Sequence, residues 1–222
     1  MAKPALKNRL RPAERARIEE IFTRLKAHDE DPRTELNYSS PYTLVTAVAL
    51  SAQATDVGVN KATAKLFAVA DTPQQMLALG EEGLIPLIAS IGLYRTKARN
   101  VLAAARMIVE QHGGEVPLNR ADLQALPGVG RKTASVVLNE LGIEPAIAVD
   151  THVFRVAHRL KLSDGKTPDQ VEADLMAVVP APFLTRAHHW LILHGRYVCV
   201  ARRPKCEDCV LADLCPSRAL FI

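Results

Sequence analysis

The sequence predicts an all-α protein. Three observations carry this: apolar residues recur at spacings of three and four in the segments between breakers, Ala and long unbranched side chains dominate those segments, and strand signals are almost lacking. With 222 residues, 48% hydrophobic and 23% charged, the chain can bury a core and suits one or two domains better than three.

Pro12 to Ala27 reads as the first helix, followed by the polar linker "HDEDPRTELNYSS". Ser40 and Pro41 then supply an N-cap and a first-turn proline for "PYTLVTAVALSAQ". Further helices start at Thr55, at Thr72 with Pro73, at Arg95 (stopped by Gly113 and Gly114), and at Leu118, running to Leu126. Lys132 to Leu141 forms the next, ended by Gly142. Beyond "IEPAIAVD", helices begin at about Thr151 and at Thr167, where Thr167 and Gln170 have capping-box spacing around Pro168. The last long helix runs from Leu184 to Val198. About ten helices with short connections result, and Ala146 to Asp150, extended but lacking a partner strand, reads as a connection.

The opening residues are charged throughout, and no apolar run is long enough for a signal peptide or a membrane span, which predicts a cytoplasmic protein with no membrane partner. Net charge is only +4, yet the pI near 8.9 and the basic clusters "KNRLRPAERAR" and "GRYVCVARRPK" allow a polyanionic partner.

"ALPGVGRKTASVV", Ala125 to Val137, is the most informative stretch. A Walker loop needs Lys directly after its last Gly, where Arg131 stands, and a dinucleotide fingerprint needs a third Gly, where Thr133 stands. Both also need a preceding strand, and the segment before is helical. What remains is a helix-hairpin-helix, whose glycines Gly128 and Gly130 permit a tight turn with exposed amides at a helix N-terminus. Backbone amides hold a nucleic-acid phosphate without reading sequence. The plainer alternative is that the two glycines only cap one helix and launch the next.

Lys132 falls in the first turn of the second helix, where the dipole disfavours a cation; with Arg131 adjacent and partial burial in a groove, its free amine becomes available as a nucleophile. A phosphate-binding surface lysine is the alternative. Eighteen residues on, Asp150 in "AVDTHVFRV" reads as an N-cap, or as a carboxylate able to stabilise positive charge on a sugar and move protons.

All four cysteines, Cys199, Cys206, Cys209 and Cys215, fall within seventeen residues as Cys-x6-Cys-x2-Cys-x5-Cys. One CxxC with a single Cys on either side suits a four-thiolate iron-sulfur cluster better than the paired elements of structural zinc, and spacing alone leaves both open. Arg202, Arg203 and Lys205, between the first two cysteines, read as a second DNA-contacting loop or a solvated one.

In this order and at these separations, "LPGVGRKTA", "VDTHVFRV" and the cysteine tail closely resemble the endonuclease III family of bacterial base excision repair enzymes, DNA glycosylases with abasic-site lyase activity. The resemblance runs from about Thr34 to Cys215 and takes in "LSAQATDVGVNKATAKLF", "IGLYRTKA" and "HHWLILHGRYVC". It implies two helical domains: a six-helix barrel domain over 34–144 carrying the hairpin and Lys132, and a 4Fe-4S cluster domain formed by 1–33 with 145–222, with DNA in the cleft between them. It further implies a monomer acting on double-stranded DNA with damaged pyrimidines or abasic sites, the nucleotide being flipped from the duplex. Lys132 and Asp150 would be catalytic, and the four cysteines would hold the cluster. Gln53 and Leu93 would fill the gap left in the duplex, His152 would lie at the lesion pocket, and Leu126, Gly128, Val129, Gly130, Arg131 and Thr133 would form the hairpin's DNA contact. Without the resemblance, Gln53 reads as a helix cap, Leu93 as core and His152 as a satisfied helix residue. Adenine-mismatch glycosylases of the same fold usually lack lysine at 132 and carry a further C-terminal domain, for which Ile222 leaves no room. The N-terminal stretch is longer and more basic than a short family member needs; extra DNA contact is one role for it.

Overall fold

The computed structural model describes residues 10–221. Among the described residues there are ten α-helices and three short 3₁₀ segments, and no strand. The helices are α1 (Pro12–His28), α2 (Pro41–Ser51), α3 (Asp56–Phe67), α4 (Pro73–Ile88), α5 (Tyr94–Gln111), α6 (Arg120–Ala125), α7 (Arg131–Glu140), α8 (Thr151–Arg159), α9 (Pro168–Val178) and α10 (Leu184–Tyr197). Among these residues no helix is long and apolar enough to cross a membrane.

Side-chain oxygens start most of the helices. Ser40 accepts from Thr43 N, Thr55 from Gly58 N, Thr72 from Gln75 N and Asn119 from Asp122 N, each satisfying an amide that the first turn leaves without a partner. Proline in the first turn of α1, α2, α4 and α9 adds a preset φ where no N–H is needed.

Three features differ from the sequence reading: one helix start, one cap and one internal break. α6 begins at Arg120 rather than Leu118, because Asn119 caps it. α9 has half of the expected capping box: Thr167 accepts from Gln170 N, but the Gln170 Oε1 accepts from Lys166 N at 2.7 Å. α4 is broken at Gly80, whose φ of 65° and ψ of −177° are open to glycine and costly for other residues. Ala146 to Asp150 is a connection, with Ala146, Ile147 and Ala148 buried.

The helices gather into two compact units. One, Thr34–Glu144, contains α2 to α7 around Leu44, Leu50, Leu66, Met76, Leu84, Ile88, Ile108 and Leu138, each completely buried. The other, Met1–Arg33 with Pro145–Ile222, contains α1, α8, α9 and α10 around Ile21, Phe22, Val153, Leu175 and Leu191. Within it the rings of Phe22, Phe183 and Trp190 pack together with centroids 5.9 to 6.4 Å apart, the two Phe rings stacked and Trp190 inclined to both, and Trp190 Nε1 donates to the Asp29 carbonyl at 2.8 Å. Gly195 lets α10 lie tightly on α8: a Cβ there would stand 3.0 Å from the His152 Cβ and from Val156.

Candidate nucleic-acid interface and cluster site

The hairpin joins α6 to α7 within the first unit. Gly128 takes a φ of +81°, and a Cβ on it would stand 2.9 Å from the Asn100 Cβ on α5, so both backbone conformation and packing require glycine. Gly128→Ala is accordingly expected to lower stability by about 1–3 kcal/mol, read as a fall in the thermal midpoint. Gly130, the N-cap of α7, offers no side-chain acceptor to the amides behind it. Leu126 and Val129 are buried, 2% and 4% exposed, and the Val129 N–H is taken by the Leu126 carbonyl at 3.0 Å. These two therefore anchor the turn, and the donors facing outward belong to the leading turn of α7. Arg131 and Lys132 are exposed and Thr133 half-buried, so Lys132 lacks the partial burial expected of it.

Gln53 and Leu93 share an unusual backbone. Both are non-glycine residues in the left-handed region, at φ 56° and 59°, a conformation L-residues adopt at a cost. Both are exposed, Leu93 by 65%, and their loops adjoin: a Cβ on Gly92 would lie 3.9 Å from the Gln53 carbonyl. Neither plain reading of them holds, since Leu93 is outside the core and Thr55, not Gln53, caps α3.

On the second unit Asp150 is the N-cap of α8, its Oδ1 accepting from His152 N and Val153 N, both at 2.8 Å. One carboxylate oxygen performs the capping, which leaves Oδ2 for other work. His152 Nδ1 faces Arg155 Nη2 at 3.2 Å. A guanidinium only donates, so in the neutral ring the proton sits on Nε2, which becomes a donor.

The four cysteines, each half-buried, line one cavity of roughly 340 Å³ including its open mouth, with Leu160, His194 and Val198 in its walls. Burial pushes the thiols of Cys209 and Cys215 up, and the charges of the neighbouring sulfurs add to this. Four thiolates in one half-buried pocket need a cationic centre among them. The four sulfurs line one shared cavity. That donor set fits a polynuclear cluster. His194, 3.7 Å from the Cys209 Sγ through Nε2, is held down to about 4 by burial and by the charge of His28, so it stays neutral beside the sulfurs.

Arginines outside the expected site residues shape this pocket. Arg155 Nε donates to the Cys199 carbonyl at 2.9 Å and its Nη2 to the Gly195 carbonyl at 2.7 Å. Arg17 of α1 donates to the carbonyls of Leu160 and Leu214, and Arg24 to the Val210 carbonyl and the Asp213 carboxylate. The early basic cluster is thus largely engaged within the chain: Arg17 as described, Arg11 with Glu14, and Arg15 with the Leu10 carbonyl. Its first residues, 1–9, lie outside the described residues, and so does extra DNA contact by them. Arg202, Arg203 and Lys205 are exposed on the loop between Cys199 and Cys206.

The hairpin on one unit and the thiol pocket on the other have counterparts in known proteins. Residues 46–181 match the family model of the HhH-GPD superfamily base excision DNA repair protein, which sets the class. Residues 199–215 match the iron-sulfur binding domain of endonuclease III. The chain is 59% identical over 196 residues to endonuclease III of Escherichia coli (strain K12), covering 88% of this chain and 93% of that one. It is similar to a solved endonuclease III trapped as a covalent intermediate with DNA, at TM-score 0.85 and 42% identity over 93% of this chain and 97% of that one. A non-covalent endonuclease III–DNA complex matches with the same coverage and identity at TM-score 0.86. The chain belongs to the endonuclease III family. Its cofactor is therefore a 4Fe-4S cluster, which settles the alternative to zinc that spacing left open.

Proposed function

We infer that the protein is a base excision repair DNA glycosylase that removes oxidised pyrimidines from duplex DNA and cleaves the resulting abasic site by β-elimination. The observation that carries this reading is an exposed lysine in the first turn of α7, immediately behind the hairpin glycines, in a chain of this family.

The leading amides of α7 and the Gly128–Gly130 turn hold a backbone phosphate. The Lys132 amine attacks the deoxyribose C1′ of the flipped nucleotide, the C1′–N bond breaks, and the base leaves with a proton. The C1′–O4′ bond then opens, O4′ taking a proton, and the Schiff base so formed at C1′ acidifies the C2′ proton; its removal expels the 3′ phosphate. Asp150, through Oδ2, stabilises the positive charge developing on the sugar and takes part in proton transfer. His152 offers its Nε2–H to the lesion, and Gln53 and Leu93, exposed on their adjoining left-handed turns, occupy the space the flipped nucleotide leaves. Arg202, Arg203 and Lys205 add a phosphate-binding loop. When bound, the 4Fe-4S cluster supplies a covalent tie among Cys199, Cys206, Cys209 and Cys215 that fixes this loop. The enzyme acts as a monomer in the bacterial cytoplasm, associated with the nucleoid through DNA.

The two roles of Asp150 can be separated. Asn is as good an N-cap as Asp, so Asp150→Asn is expected to keep stability within about 0.5 kcal/mol, whereas Asp150→Ala loses about 1–2 kcal/mol. Both should lose base-release activity by roughly 10²-fold or more, since neither keeps the charge. Thermal melting beside single-turnover base release reads both quantities.

The function is tested by incubation with duplexes carrying thymine glycol, other oxidised pyrimidines, an abasic site or an adenine mismatch. Base release and nicking at the oxidised pyrimidines and nicking at the abasic site are expected. Binding without nicking would mark a non-enzymatic DNA-gripping module, and selective action on the mismatch a glycosylase of other base specificity.

A further inference from the structure

We propose that Phe221 and Arg159 together cap the first cysteine of the cluster site, so that the segment following Cys215 protects the cluster and sets the order of the basic loop. Arg159 ends α8 and turns its guanidinium onto the Cys199 segment. Its Nη1 lies 3.4 Å from the Cys199 Sγ and donates to the Val200 carbonyl at 2.8 Å, and its Nη2 donates to the Ala201 carbonyl at 3.0 Å. One rigid fork thus holds three successive residues at the root of the loop that carries Arg202, Arg203 and Lys205. The Phe221 ring covers the guanidinium, 4.3 Å from its central carbon.

The charge arrangement supports the same assignment. Arg24 and Arg186 pair with the carboxylates of Asp213 and Asp31, whereas among the described residues Arg159 has no carboxylate partner. Its contacts are sulfur, carbonyls and an aromatic face. A cation without a counter-ion, placed against a cluster ligand, is complementary to the net negative charge of an iron-sulfur centre with four thiolates, and an N–H···S bond withdraws electron density from the ligand. Phe221, itself 41% exposed, lays its ring over one face of the guanidinium, so Arg159 is a positioning residue and Phe221 its cover.

This inference goes beyond the repair reaction and rests on the cluster, not on the lysine chemistry; a trapped lysine adduct is a separate measurement, so the two can fail separately. The test uses the loaded protein. A ferrous-iron chelator is added, loss of the visible cluster band is followed in time, and the cluster's midpoint potential is measured by voltammetry. Arg159→Met is expected to lose its cluster at least about tenfold faster and to show a lower midpoint potential, because a positive charge and a donor to sulfur are gone. Phe221→Ala is expected to lose it about three- to tenfold faster, and Phe221→Trp, which restores an aromatic face, to remain within about twofold of the wild type. An Arg159→Met protein with unchanged potential and stripping rate overturns the proposal. Should Arg159→Met fail to take up iron, the Phe221 pair decides: equal stripping rates for Phe221→Ala and wild type, at unchanged helical content, overturn it.

Discussion

Lys132→Gln is expected to abolish strand cleavage at thymine glycol and abasic sites, by at least about 10³-fold, while binding to undamaged duplex weakens only a few-fold. The asymmetry follows from the geometry of the hairpin. In the proposed arrangement the phosphate contact falls to backbone amides of the leading turn of α7, whose N-cap Gly130 offers no side-chain acceptor, and the substitution leaves these amides in place. Lys132 is exposed and outside the core, so glutamine there disturbs no packing. Only the primary amine is lost. A lysine that merely bound phosphate would show the reverse pattern, with weakened binding, a smaller salt dependence and turnover preserved at saturating DNA. Quantifying nicking alongside binding at two salt concentrations separates the two.

Cys209→Ser is expected to remove the visible cluster absorbance and to lower the stability of the unit containing α1, α8, α9 and α10 by about 3–5 kcal/mol, a fall in thermal midpoint on the order of 10 °C. Cys209 is half-buried, its sulfur accepts the Leu211 N–H at 3.4 Å, and the adjoining segment is tied to α1 through Arg24 to Asp213 and Arg17 to the Leu214 carbonyl. Serine has no thiolate to offer, and the other three sulfurs cannot complete the ligand set. With the cluster gone, the arginine clamps hold backbone whose fourth tie is missing, and the exposed Arg202, Arg203 and Lys205 lose their fixed positions. Reduced affinity for undamaged duplex should accompany the stability loss. Full iron content and an unchanged melting temperature would contradict the account of this pocket.

Local chemistry was the legible part of the fold. Ser40 with Pro41, Thr72 with Pro73 and Thr167 with Pro168 each mark a helix start by a cap and a preset φ, and the structure has helices at all three. Gly80 was not legible as a break because a lone glycine in a periodic segment is commonly tolerated; only its backbone angles distinguish it. The same limit applied at Gln53 and Leu93. Their residue types suggest a cap and a core position, and their exposed left-handed conformations depend on how neighbouring loops pack, which periodicity does not encode.

Long-range straps were the least legible. Arg155 and Arg159 look like the polar face of an amphipathic helix, and what singles them out is contact with residues some forty positions later. Arg17 likewise reads as part of a basic cluster open to a polyanion and instead holds the Leu214 carbonyl, while Arg24 of the same helix holds Asp213. Charge clusters are ambiguous in this way because the carbonyls that satisfy them are invisible in composition. The chemistry-bearing residues were easier: Asp150 takes its cap position, the four cysteines line one cavity, and Lys132 stands in the first turn of α7.

Reduction of the reaction with borohydride on a thymine glycol duplex, with the adduct mapped by peptide mass, shows which residue forms the covalent bond to DNA. A stable protein–DNA adduct whose reduced sugar fragment sits on the Lys132 side chain is expected. An adduct mapped to any other residue, or no adduct from an enzyme that still releases the base, would contradict Lys132 as the nucleophile.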